Sequence, residues 1–310
     1  MDDTAVEAAD EAPSKQRIGL PLLLFLATIV TTFHAGNAFV EHGTHPLRGW
    51  VFAVPFLGIL TTHELGHWVL ARRHRIATSL PHFIPFPLGF GTFGAVIGMR
   101  GRIRTRDALF DVGASGPLAG LLVAIPVLVV GLKLSRVLPS SPGGIDEGQS
   151  LLYLAIKWLV FGKFPPGHDV YLHPTAFAGW AGLYMTMLNL LPIGQLDGGH
   201  VAYALFGERQ DRIARLVHRA LLPLAVLVPA YLVHRARQAH VPWGEALSQD
   251  LPGGINWIIW WLLLRAMTRR GNHPPVEPGS VLSPRRRVLA MGTLVLFVLL
   301  FVPIAQSIHR

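Results

Sequence analysis

An apolar run from Trp50 to Ala71 carries His63, Glu64 and His67 inside it. It meets the roughly 20-residue requirement for a bilayer span, so the three ionisable side chains would sit at membrane depth, where such groups are costly and mark function. On a helix, positions i and i+4 share a face, and both imidazoles can reach one metal ion. Glu64 projects close by and can serve as a general base toward water. His-Glu-x-x-His also arises by chance in soluble chains. Its placement in an apolar helix is what argues for metal.

The chain has 310 residues, 51% hydrophobic and 15% charged, against about a quarter charged in soluble domains. Its formal net charge of +9 raises nucleic acid as a partner. The basic residues cluster at the ends of apolar runs, however, as the orientation rule for membrane proteins requires, so no nucleic-acid partner is expected. There is no cysteine, which excludes disulfides and thiolate ligands and leaves His, Asp, Glu and water to hold any metal. Met1–Pro13 is acidic and small and reads as a disordered tail, not a secretory leader.

Hydropathy predicts an all-α polytopic membrane protein of about seven transmembrane helices, at 18–40, 50–71, 109–132, 175–194, 216–233, 253–268 and 287–306. The sixth is short, and Trp257, Trp260 and Trp261 suit an interface. A cytoplasmic N-terminus puts most Lys and Arg inside, including Arg72, Arg73 and Arg75, Arg100 to Arg106, Arg209 to Arg219, and Arg265 to Arg287. The second span then runs inward. At 1.5 Å per residue His67 lies about 7 Å, and His63 about 13 Å, short of Arg72, so the candidate site is nearer the cytoplasmic side.

Between the second and third spans, Pro81–Met99 is apolar but broken by Pro81, Pro85, Pro87, Gly89, Gly91 and Gly94, which excludes a regular helix. A re-entrant loop or β-hairpin is one reading, tolerated at membrane depth where it is buried or lines a wet cavity. A cytoplasmic loop resting on the membrane is the other. Gly116 and Gly120, at small-xxx-small spacing, predict a close helix contact. The connection from Ser135 to His173 is polar, with an interfacial helix expected over Leu151–Phe161.

A catalytic zinc usually has three protein ligands and an open position. The fourth span ends in Asn189-Leu190-Leu191-Pro192-Ile193-Gly194-Gln195-Leu196-Asp197-Gly198-Gly199-His200, which brings Asp197 to the histidines' depth. From position alone, Asp197 is equally a ligand or a helix-end carboxylate in a turn. His200 is either a group supporting the site or a solvated residue at the membrane edge.

His63-Glu64-x-x-His67 together with Asn189-x-x-Pro192-x-x-x-Leu196-Asp197-Gly198 resembles the site-2 protease family of intramembrane zinc metalloproteases, over roughly residues 50–200. The resemblance implies one Zn2+ held by His63, His67 and Asp197, Glu64 as catalytic base, and Asn189 holding substrate or the developing oxyanion. It implies a zinc metalloendopeptidase that hydrolyses peptide bonds in transmembrane segments of membrane-anchored substrates, in regulated intramembrane proteolysis. No connection has room for an inserted PDZ domain. The organisation expected is an acidic tail (1–14), a first transmembrane helix and loop (15–48), a catalytic membrane core (49–205) and C-terminal transmembrane helices (206–310). A prokaryotic cell membrane is the expected location. Helical substrate must unwind before attack, and the 81–99 segment could accept the freed strand by β-addition. The competing class is a metal-binding protein or divalent-cation transporter using the same cluster, which would need no general base.

Overall fold

The computed structural model describes residues 18–38, 48–99, 103–140, 143–163, 165–268, 276–277 and 279–309. The acidic tail expected at 1–14 lies outside the described residues, as do Arg100, Arg102, Arg269 and Arg270 of the basic clusters.

Each expected span overlaps a helix, although the seventh, expected to reach 306, stops at Leu300 and Gln306 opens a strand. In chain order these are α1 (Gly19–Ala38), α2 (Trp50–Arg73), α3 (Arg106–Leu134), α5 (Pro174–Asn189), α7 (Gln210–Gln238), α9 (Pro252–Thr268) and α10 (Pro284–Leu300). Among the described residues, three helical stretches are long and apolar enough to cross a membrane by length and composition: Gly19–Ala38, Arg106–Leu134 and the run Asp197–Gln238; α2, the expected second span, is not one of them. The 16 residues of α5 and the 17 each of α9 and α10 fall short of a regular span. Three further helices are α4 (Leu151–Phe161), at the expected interfacial stretch, α6 (Asp197–Phe206) and α8 (Trp243–Asp250).

Local chemistry sets the ends that matter. Thr105 caps α3, its hydroxyl accepting from the Ala108 N–H at 3.2 Å. Arg72 and Arg73 close the last turn of α2, where the helix dipole favours cations. The fourth span was expected to run to 194, but α5 stops at Asn189. Pro192 lacks a donor, and Gly194 takes a positive φ of 54°. Asp197 does not sit in a loose turn behind that helix; it is the first residue of α6.

The core is built from α2, α3 and α5. Phe52, Phe56 and Ile59 of α2 pack with Leu121 and Leu128 of α3 and Met187 of α5. One end of the bundle collects the C-terminus of α2 and the N-termini of α3 and α10. There Arg286 forks onto Asp111 (2.7 Å from both Nε and Nη2), reaches Asp107 at 3.0 Å, and His74 meets Asp111 at 2.8 Å.

The fold is not purely helical. Residues 81–99 contain a hairpin of β1 (His82–Pro85) and β2 (Thr92–Val96), antiparallel with Phe83 opposite Ala95 and an irregularity between Phe83 and Pro85. The hairpin lies along α1: the Phe83 and Phe25 rings are 4.9 Å apart, and Gly91 (φ 87°) meets the backbone of Thr31 and Thr32 too closely for a side chain. At the far end of the bundle, β3 (Arg136–Pro139) pairs with β5 (His168–Tyr171), and β4 (Ile145–Glu147) pairs with β6 (Gln306–Ile308), both antiparallel. Those four strands correct the all-α expectation. Each is three or four residues long, too short for a legible alternation.

Candidate functional site

The i, i+4 spacing on α2 puts His63 and His67 on one face, their Nε2 atoms 3.1 Å apart. Asp197 enters from the start of α6, with Oδ2 3.1 Å from His63 Nε2 and Oδ1 3.2 Å from His67 Nε2. It reaches this point because Gly198 and Gly199 lie against the carbonyls of Leu190 and Gly194, where a Cβ would collide. The three residues bring their ligand atoms within 4.8 Å of one another.

The arrangement fits a cation. His67 Nδ1 lies 2.7 Å from the Val112 carbonyl oxygen, which can only accept, so Nδ1 carries a proton and, in the neutral imidazole, Nε2 is the nitrogen with the lone pair. That lone pair faces a second imidazole nitrogen and a carboxylate. Three electron-rich atoms turned on one point repel each other unless a positive charge sits among them. Two nitrogens and one oxygen, without thiolate, make a donor set suited to zinc.

Gly116 and Gly120, expected as a helix-packing pair, face the imidazoles themselves. A Cβ at 116 would overlap the His67 ring, and one at 120 would lie 3.3 Å from His63 Nδ1. Glu64 is 6% exposed, and its carboxylate accepts no protein hydrogen bond among the described residues. It opens on a cavity of about 660 Å³ shared with His63, His67, Asn189 and Asp197. Asn189, the last residue of α5, brings Nδ2 to 3.3 Å from His63 Nε2. All five residues singled out from the sequence therefore meet at one cavity.

His200 corrects one alternative. It is 5% exposed, one turn beyond Asp197 and lining the cavity, with its Cβ 2.7 Å from where a Gly113 Cβ would stand. It is not a solvated edge residue. Sequence reasoning missed the Val112 carbonyl, as well as Gln195 and Met267, which also line the cavity. Met267 comes from α9, which had no legible role. The far wall is the chain from Ala95 to Met99, running off β2.

Residues 51–228 match the model of peptidase family M50. The chain is 34% identical over 177 residues to the probable zinc metalloprotease EGY1, chloroplastic, of Arabidopsis thaliana, covering 55% of this chain and 32% of that protein. It is 31% identical over 240 residues to the EGY1 protein of Oryza sativa subsp. japonica, covering 67% and 41%. It is 28% identical over 250 residues to the probable zinc metalloprotease EGY2, chloroplastic, of Arabidopsis thaliana, covering 79% and 39%. The chain thus spans between 32% and 41% of the length of these curated relatives. They are plant proteins described as chloroplastic, and they lend no support to the prokaryotic membrane expected from the sequence.

Proposed function

The chain belongs to peptidase family M50, the site-2 protease family, and from that membership we propose that it is a zinc metalloendopeptidase cutting peptide bonds in the transmembrane segments of membrane-anchored proteins. The observation that carries the proposal is the convergence of His63, His67, Asp197 and Glu64 on one cavity walled by a strand.

His63, His67 and Asp197 would hold one zinc ion, with 49–205 as the catalytic core. Zinc supplies Lewis acidity there, lowering the pKa of water and polarising a carbonyl. Glu64 has no competing protein donor among the described residues, so it is available to take the proton of the attacking water and hand it to the leaving amine. The Asn189 amide, donor-capable at the cavity rim, would hold the carbonyl oxygen as charge develops on it.

A transmembrane helix keeps its amides hydrogen-bonded internally, so it must unwind before attack. Among the described residues β2 pairs with β1 alone, and the chain continuing from it lines the catalytic cavity. We read the 81–99 hairpin as a re-entrant element that accepts the unwound substrate as a third strand. Its packing on Phe25, Thr31 and Thr32, all inside the candidate span Gly19–Ala38, supports that depth. We further read the protein as multi-pass with about seven membrane helices, its N-terminus and the Arg286–Asp111 end cytoplasmic, in keeping with the basic clusters at that end.

The test compares wild type with Glu64→Gln in native membranes, by proteomics of released fragments and zinc content of the purified proteins. The expected result is fragments that vanish in Glu64→Gln while its zinc content is unchanged. Identical fragment sets from the two proteins would overturn the reading, and metal-coupled transport surviving in the variant would favour a carrier instead.

A further inference from the structure

A second donor cluster lies at the opposite end of the bundle. Asp146 on β4, Asp169 on β5 and His309, just past β6, each bring a ligand atom within 4.8 Å of the others. Asp169 stands a few residues ahead of α5. At 1.5 Å per residue, that helix carries the chain about 24 Å before it delivers Asn189 to the catalytic cavity. The two clusters are therefore separate sites.

His309 Nδ1 lies 3.0 and 3.2 Å from the two carboxylate oxygens of Asp146. Asp169 Oδ1 accepts from Lys157 Nζ at 3.2 Å and from the Val170 N–H at 2.7 Å, while Oδ2 has no protein donor among the described residues. Glu147 Oε1 accepts from the Tyr153 hydroxyl at 2.6 Å and from Lys157 at 3.3 Å. Burial, with Glu147 beside it, pushes the Tyr153 phenol well above its ordinary pKa, so Tyr153 contributes a proton and no charge. Among the described residues, the three carboxylates of Asp146, Glu147 and Asp169 thus face one ammonium, that of Lys157. A cavity of about 270 Å³ opens on Asp146, Glu147, Asp169 and His309, with room for water to complete a coordination shell.

We propose that Asp146, Asp169 and His309 hold a second divalent cation of the zinc-like, first-row transition class. The excess of carboxylates over ammonium groups there attracts a cation. An imidazole among the donors favours these metals over calcium or magnesium, which take oxygen ligands. The 3.0 Å between His309 Nδ1 and the nearer Asp146 oxygen is close to the roughly 3.3 Å edge of a tetrahedron with zinc–ligand bonds near 2.0 Å. That pair matches the 3.1 to 3.2 Å separations among His63, His67 and Asp197, and Asp169 brings a ligand atom within 4.8 Å of both. The ion would tie β4, β5 and the segment after β6 together, securing the end of the described chain to the connection that leads into α5.

The test uses the full chain in detergent, stripped with chelator and re-equilibrated with Zn2+. The catalytic ligands are removed by His63→Ala/His67→Ala so that only the second site is counted. That protein should retain about one zinc per chain and lose it when His309→Ala is added. Asp146→Asn provides an independent second variant, and Zn2+ should slow amide exchange across 306–308 only where the site is intact. No zinc in the His63→Ala/His67→Ala protein overturns the proposal in favour of a plain His309–Asp146 ion pair. Zinc that survives both His309→Ala and Asp146→Asn overturns the assignment, and displacement by equimolar Ca2+ overturns the metal class.

Discussion

Gly116 of α3 stands where any side chain would overlap the His67 ring, while the carbonyl of Val112, one turn earlier on the same helix, accepts from His67 Nδ1 at 2.7 Å. One helix thus orients the imidazole and leaves the space it occupies. Gly116→Ala should displace the ring and cost the protein the zinc bound at His63, His67 and Asp197, even though alanine favours a helix by about 1 kcal/mol over glycine. Gly120→Ala, whose Cβ would sit 3.3 Å from His63, should lose less. Zinc per chain, read beside helix content, checks this; normal zinc in Gly116→Ala would refute it.

Chelation should abolish cleavage, and added Zn2+ should restore it. Asp197→Asn exchanges a charged donor for a neutral one and should weaken zinc binding by at least the roughly 10–100-fold seen when a supporting partner of a ligand is lost. Asn189→Ala should instead keep its zinc and lose turnover by about 10²–10³-fold, the cost of one oxyanion donor. Equal zinc loss in both variants would contradict the separate roles given to Asp197 and Asn189.

The histidine pair was legible because i, i+4 spacing sets its geometry whatever the rest of the fold does. Asp197 lies 134 residues from His63; position left it undecided, and only the paired motif pointed to the site. The apolar segments located the helices, but not where α5 stops, because Pro192 and Gly194 act several residues beyond Asn189. The Val112 carbonyl was illegible because a backbone acceptor carries no residue signature. His200 is buried by Gly113 on another helix, and β4 meets β6 across more than half the chain. Neither relation has a local pattern.

Arg286 ties α10 to the start of α3 through Asp107 and Asp111, and α10 also packs on α6, which bears Asp197. Arg286→Gln should lower thermal stability by about 1 kcal/mol, a modest value because the guanidinium is a third exposed and screened. Arg285→Gln, on an exposed neighbour, serves as the control and should change little. Matching melting temperatures for the two variants would remove the fork as a stabilising contact.

The hairpin prediction separates strand acceptance from chemistry. Successive residues of a strand direct their N–H groups to opposite edges, so one of Ala95 and Val96 offers its donor to the edge of β2 that carries no strand among the described residues. Proline at that position removes the donor without touching zinc, Glu64 or Asn189. Cleavage of a helical transmembrane substrate should fall more steeply than cleavage of a peptide already extended, because only the former relies on the strand to stabilise its unwound form. Helix-breaking residues placed near the scissile bond should partly restore the rate. Equal losses on both substrates would leave the hairpin as a wall of the cavity and nothing more.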